Sequence, residues 1–187
     1  EGRWRHDTLS YQIIMTHPHN TYLFDGKEYL NTWIRDDDVE KYSPITQVYA
    51  VVFNEDSEIL LCRKTGKHSW HLPGGHIKEG EAFEDALKRE LLEEADVTVQ
   101  HIRPIGVQKV TDPSDPNFMP GYQLRCIAIL EKLLPQTIDP DSQTQWERMF
   151  VPSADVKKYI QWGVSGDAML DDAVATHRGV RGPRGGI

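Results

Sequence analysis

Five residues of this chain could do chemistry together by type and spacing: Glu81, Arg89, Glu90, Glu93 and Glu94. On a helix advancing about 100° per residue, Phe83, Ala86, Leu87 and Leu91 share the side expected to face a core. Glu90 and Glu94 fall in the middle of that same side, and Glu93 lies at its edge. Like charges three and four residues apart repel, and an ionised carboxylate facing a core is costly unless it is paired or bound to metal. Two readings follow. Either the helix presents a solvated acidic face, or the glutamates hold a hard divalent cation such as Mg²⁺ or Mn²⁺, whose remaining coordination comes from water and substrate phosphates.

The positioning elements can be read around that helix. Leu72-Pro73-Gly74-Gly75 turns the chain tightly, and the spacing predicts a helix over Glu81–Glu94 with Gly80 before it. Upstream, Val48 to Phe53 is a continuous apolar, β-prone run, and Glu58 to Arg63 follows after a turn, so a hairpin with a doubly buried first strand is expected. Downstream, Val97–Val99, Ile102–Val110, Tyr122–Leu130 and Gln145–Val151 read as strands. A helix opening at Pro152 with Ser153 as N-cap runs to Tyr159, and another covers Gly166–His177. Strands and helices in this order indicate an α/β sandwich, and neither a G-x-G-x-x-G nor a Walker-type lysine points to a doubly wound nucleotide fold.

Residues 1–45 form a polar-aromatic lead segment with short strands at Tyr11–Met15 and Thr21–Phe24; 46–177 form the main domain, and the Gly- and Arg-rich 178–187 a flexible tail. His17 and His19 straddle a proline and read as a surface turn, Asp36–Asp38 as a solvated loop or helix start. At 187 residues, one domain with a sizeable core is expected. A net charge of −8 argues against a nucleic-acid polymer as partner but not against phosphate substrates, because a divalent ion inverts the sign of an acidic pocket. No apolar run reaches membrane-spanning length, so a cytoplasmic protein without a membrane partner is expected. Cys62 and Cys126 sit in apolar segments without metal-ligand spacing and read as buried free thiols.

Gly75, then five residues, Glu81, then seven residues, then Arg89-Glu90-Leu91-Leu92-Glu93-Glu94-Ala95-Asp96-Val97 resembles the Nudix box, G-x5-E-x7-R-E-U-x-E-E-x-G-U with U aliphatic. One fixed position departs: Asp96 stands where the family has its last glycine, at the turn ending the helix, and Asp is among the residues that tolerate such a turn. The resemblance implies an α/β/α sandwich with a mixed sheet, and hydrolysis of a nucleoside diphosphate linked to another group. It also implies Glu90, Glu93 and Glu94 as metal ligands, Arg89 as the residue orienting the glutamates, and Glu81 supporting or joining the metal cluster. Gly75 would let the loop approach the helix closely. The general base stays open among Glu93, Asp112, Asp115 and Asp171.

The resemblance implies that specificity lies outside the box. Pro113, sixteen positions after Val97, resembles a downstream proline associated with nucleoside-diphosphate-sugar hydrolases of the ADP-ribose kind, within the long loop Thr111–Gly121. Trp33, Tyr49, Trp70, Phe118, Tyr122 and Trp146 could stack on a base, and His68, His71 and His76 could touch phosphates. Alternatives on the same fold are a nucleoside triphosphate pyrophosphohydrolase, an isoprenoid-diphosphate isomerase using an acid and a reactive thiol, and a non-catalytic nucleotide-binding module. Because relatives often pair through N-terminal segments, residues 1–45 are also a candidate dimer arm of a homodimer.

Overall fold

The computed structural model describes residues 17–140 and 142–181. Its strands are β1 (His19–Phe24), β2 (Lys27–Arg35), β3 (Ile45–Phe53), β4 (Glu58–Lys64), β5 (Gly74–His76), β6 (Val97–Thr111), β7 (Gly121–Leu133) and β8 (Trp146–Pro152). Helices are α1 (Phe83–Ala95), α2 (Val156–Tyr159) and α3 (Gly163–Arg181). The strands form one eight-stranded sheet in the order β1-β2-β6-β7-β3-β4-β8, with β5 beside β3. It is mixed, because β3 and β7 run parallel while the other pairs are antiparallel.

Alternation along β3 explains the layering. Val48, Ala50 and Val52 face a core completed by Ala86, Leu87, Leu91 and Ala95 of α1. Val51 and Phe53 face the opposite core, with Val156 and Ile160 at α2 and Met169, Leu170 and Ala173 of α3. Strand β3 is therefore buried on both faces and the chain is an α/β/α sandwich, as expected. No described helix is long and apolar enough to cross a membrane.

Four expectations change. First, β3 and β4 pair only at Phe53 and Ile59, so the expected hairpin opens at once. Strand β5 takes the place beside β3, while β4 pairs with β8 over seven positions. Second, residues 19–35 extend this sheet: β1 and β2 join through Asp25-Gly26, both at positive φ as a tight hairpin requires, and β2 pairs with β6. Trp33 is thereby buried in the second core, while Tyr11–Met15 lie outside the described residues. Third, the two strands expected at Val97–Val99 and Ile102–Val110 are one, kinked by register shifts that His101 and Gly106 accommodate at positive φ. Fourth, Ser153 does not cap α2, which begins after Asp155, and α3 runs from Gly163 through Arg181, into what was expected to be tail.

Candidate active site

Helix α1 has no side-chain N-cap, but Glu84 and Asp85 in its first turn suit the positive end of its dipole. It ends at Asp96 in the left-handed region (φ 47°, ψ 50°), whose N–H reaches the Leu91 and Leu92 carbonyls. The Asp96 carboxylate accepts hydrogen bonds from the Thr137 N–H (2.9 Å) and hydroxyl (2.7 Å). Asp thus supplies the turn a glycine would give and anchors it to a neighbouring loop.

Arg89 gathers the carboxylates. Its Nε and Nη2 donate to the two oxygens of Glu81 at 2.9 and 3.0 Å, a bidentate pair. Nη1 donates to Glu90 at 2.8 Å and reaches Glu93 at 3.4 Å, and Nη2 also donates to the His76 carbonyl at 2.9 Å. The Arg89 pairing, with the Lys78 N–H second, holds the Glu81 carboxyl down at about 2. At Gly75, a Cβ would lie 2.6 Å from the Glu90 carboxyl carbon, so any other residue would push that carboxylate aside.

Glu94 differs from its neighbours. It is 8% exposed, accepts the Gly74 N–H at 3.0 Å and lies 3.6 Å from the Cys62 thiol, which donates to it. Burial pushes its carboxyl up to about 8, against the Gly74 hydrogen bond, with the nearby Glu90 charge adding to the rise. The Cys62 thiol is raised well above its ordinary value, first by burial and then by Glu94, and burial lowers His71. Cys62, His71 and Glu94 bring ligand atoms within 4.8 Å of one another.

Glu94 reaches past the opening between β3 and β4 into a cavity of about 780 Å³ on the α3 side of the sheet. Lys64, His71, Gly74 and Trp146 line one end with Glu94. Across Tyr49 of β3, the floor continues as Asn31 of β2, Gln108 of β6, and Gln123 and Arg125 of β7; Trp162 and Gly163 at the start of α3 also line the cavity. Asn20 ties β1 to α3 by accepting from the Ser165 N–H and hydroxyl.

The expected residues separate into two sets. Gly75, Glu81, Arg89, Glu90 and Glu93 form one network, joined to the cavity through Glu94. Tyr49, His71 and Trp146 line the cavity; Trp70, Phe118, Pro113 and His76 do not. Trp70 lies under the Arg63 guanidinium (4.3 Å), Phe118 packs on Tyr29, and His76 meets Gln47 at 3.1 Å. Of the base candidates, Asp112 is buried and tied to Lys27 (2.5 Å) and Ser114, which hold it down at about 2. Asp115 caps a turn at Asn117, and Asp171 pairs with Lys157 on the surface of α3. The 112–120 loop contributes nothing to this cavity lining.

Asn31, Gln108, Gln123, Arg125 and Trp162 were not found from sequence. For the four strand residues the only advance signal is a polar residue inside an otherwise apolar strand, Arg125 beside Cys126–Leu130 above all, and Trp162, just before α3, carries none.

A mixed sheet between two helical layers, parted beside a helix whose glutamates are clamped by one arginine, defines the class: the α/β/α sandwich with an acidic helix following a glycine turn. The NUDIX domain family model matches residues 44–170, and the chain belongs to that family. Among curated proteins, the RNA pyrophosphohydrolase of Psychromonas ingrahamii is 38% identical over 66 residues, 35% of each chain. The matched stretch thus spans about a third of that relative's length. The RNA pyrophosphohydrolase of Sodalis glossinidius is 29% identical over 129 residues, covering 67% of this chain and 73% of that protein. Among solved structures, a mutant of the Bacillus subtilis pyrophosphohydrolase BsRppH matches with a TM-score of 0.61 at 17% identity, over 79% of this chain and 92% of that one. The NUDIX domain of Shewanella oneidensis NrtR, complexed with ADP ribose, matches with a TM-score of 0.54 at 20% identity, over 75% and 96%. These two likenesses are of fold.

Proposed function

We propose that this chain is a metal-dependent pyrophosphohydrolase cleaving a nucleoside diphosphate linked to another group. One observation carries it: Arg89 gathers Glu81, Glu90 and Glu93 beside a nucleotide-sized cavity that Glu94 enters. The donor set fits Mg²⁺ or Mn²⁺, being carboxylate oxygens. Glu94 also fits a cation, since a buried carboxyl raised to about 8 gains its charge once a positive ion faces it. Glu90, Glu93 and Glu94 would hold the ion, with Glu81 in support, and the ion would neutralise phosphate oxygens and acidify a bound water.

The chain's own residues do the rest. Arg89 stays charged and its planar fork holds the glutamates in one geometry, which a lysine could not do. Glu93 accepts the proton of the attacking water, and Gly75 leaves room for Glu90. Lys64, at the same end of the cavity as Glu94, pairs with phosphate oxygens. The isomerase alternative needs a reactive thiol; burial instead pushes Cys126 up to about 12 and Cys62 well above its ordinary value.

Terminal 5′-triphosphates present the same anhydride, and relatives named RNA pyrophosphohydrolase favour testing them. The experiment is a release assay with Mg²⁺ or Mn²⁺ for phosphate, pyrophosphate and nucleoside monophosphate. Its panel spans nucleotide sugars including ADP-ribose, dinucleoside polyphosphates, nucleoside triphosphates and 5′-triphosphate RNA. Hydrolysis of at least one member, lost in Glu93→Gln, is expected. No turnover of any member with metal bound would leave a nucleotide-binding module.

A further inference from the structure

The cavity floor carries a feature that phosphate hydrolysis does not use. Arg125 is 3% exposed, and no carboxylate pairs with it among the described residues. Its Nη2 donates to Gln108 Oε1 and to Gln123 Oε1 (2.7 Å), and its Nη1 reaches only the Leu124 carbonyl at 3.4 Å. Its Nε–H has no partner among the described residues. Gln108, 1% exposed, has its oxygen fixed by Arg125, which leaves its Nε2 donor unpaired as well. Asn31, on the same face, has an unpaired acceptor, Oδ1. Burying a cation and two amides with open valences is unfavourable, and a native protein keeps such a cluster where water or a ligand completes it. Burial alone pushes the guanidinium down to about 10, with no anion to restore it.

We propose that Arg125, Gln108 and Asn31 read the edge of a 6-oxopurine base, so that the nucleoside recognised is of the guanosine type. The inference rests on the pyrophosphohydrolase reading only for the location of the phosphates near Glu94. Two unpaired donors beside one unpaired acceptor match an edge with two acceptors beside an N–H. Guanine offers N7 and O6 as acceptors and N1–H as donor; cytosine presents O2, N3 and an amino N–H in the same order, and the two-ring purine, with the larger face to lay on Tyr49 and Trp162, is favoured over it. Across β7, β6 and β2 the open groups run donor, donor, acceptor, whereas adenine's amino group lies between its acceptors N7 and N1 and would meet the Gln108 donor. A bare phosphate is a poorer match, because Asn31 Oδ1 would then face an anion. Flat surfaces for a ring are present: Arg125 stacks on Tyr49 at 4.5 Å and lies 5.8 Å from Trp162, and both aromatics line the cavity. A base on this floor and a diphosphate directed past Tyr49 toward Glu94 would span the cavity from β6 and β7 to β4.

The test is titration of the metal-free chain with GMP, AMP, UMP and CMP, followed by tryptophan fluorescence, since Trp146 and Trp162 line the cavity. GMP is expected to bind at least tenfold more tightly than the other three. Arg125→Met and Gln108→Leu, each checked for folding by circular dichroism, are expected to bring GMP down to the AMP level. If Arg125→Met does not fold, Gln108→Leu and the wild-type ranking decide. AMP or a pyrimidine binding as tightly as GMP, GMP binding that survives both substitutions, or no nucleotide binding at all would each overturn the assignment. No step of this measurement requires hydrolysis. A chain that prefers GMP yet hydrolyses nothing keeps the base site and loses the enzyme, whereas one that hydrolyses adenosine and guanosine substrates equally loses the base site and keeps the enzyme.

Discussion

The two halves of the site solve opposite electrostatic problems. On α1, an excess of negative charge is held together by Arg89, in partly exposed positions where solvent and a cation can reach it. On the sheet floor, a single positive charge is buried among neutral amides, with no carboxylate paired to it among the described residues. On the proposed reading, the first arrangement is neutralised by a metal and the second is satisfied by a ligand. The difference teaches that one cavity can be divided into a chemical end and a reading end, and it predicts that substitutions at the two ends fail differently.

The widest separation is expected from Glu93→Gln. It keeps the shape of the helix and removes an acid–base group, so kcat should fall by about a hundredfold or more while the melting temperature and GMP affinity hold. Steady-state kinetics beside thermal melting read this directly. A variant within a few fold of wild-type kcat would remove Glu93 from the chemistry and leave α1 with a structural role. Gly75→Ala should come next, with a drop of about tenfold in kcat, because its Cβ would lie 2.6 Å from the Glu90 carboxyl carbon. An unchanged KM for a guanosine substrate would confirm that the reading end had not moved.

Acidity separates the two ends again. The Glu94 carboxyl sits at about 8 when folded, well above an unfolded glutamate, so between roughly pH 4.5 and 8 the native state binds the extra proton. Unfolded protein then gains more from deprotonation, and metal-free stability is expected to fall across that window by on the order of a few kcal/mol, levelling above it. Saturating Mg²⁺ should flatten the slope, and so should Glu94→Gln. Glu81 and Asp112 run the other way: held down at about 2, they stabilise above the unfolded pKa and lose that contribution as pH falls toward 2. Melting temperature against pH, with and without Mg²⁺, checks all three. A metal-free stability that rises from pH 5 to 8 would contradict the buried state of Glu94.

The same division explains what the sequence could tell. Glu81, Arg89, Glu90, Glu93 and Glu94 are read together because one helix and the turn before it fix their spacing, and helical phase survives in the order of residues. Strand β3 was legible for a related reason, since burial on both faces leaves an unbroken apolar run. The floor was not legible, because Asn31, Gln108 and Arg125 come from three strands and meet only through sheet pairing. Arg35–Gly106, Gln108–Gln123 and Tyr49–Arg125 are registers no local pattern encodes. The parting of β3 from β4 was missed because Val48–Phe53 and Glu58–Arg63 look like any hairpin, and it is β5 and β8 that compete for their edges. Loop 111–121 drew attention by its length and prolines, yet its polar groups satisfy one another, as at Asp112 and Ser114.

The smallest effect is expected at Asp96, where the chain departs from the family's glycine. A non-glycine residue at φ 47° costs about 1–2 kcal/mol, which Asp96→Gly would relieve. The same change would remove the carboxylate that accepts two hydrogen bonds from Thr137, each worth about 0.5–1.5 kcal/mol net because Thr137 is exposed to solvent. These terms nearly cancel, so Asp96→Gly should shift stability by no more than about 1 kcal/mol and leave turnover unchanged. Asp96→Ala keeps the backbone cost and loses the anchor, so it should destabilise by about 2 kcal/mol in urea unfolding. If glycine proved as damaging as alanine, the Thr137 anchor would outweigh the turn. The departure would then be a second fastening between α1 and the loop before β8, one that a glycine in this position cannot make.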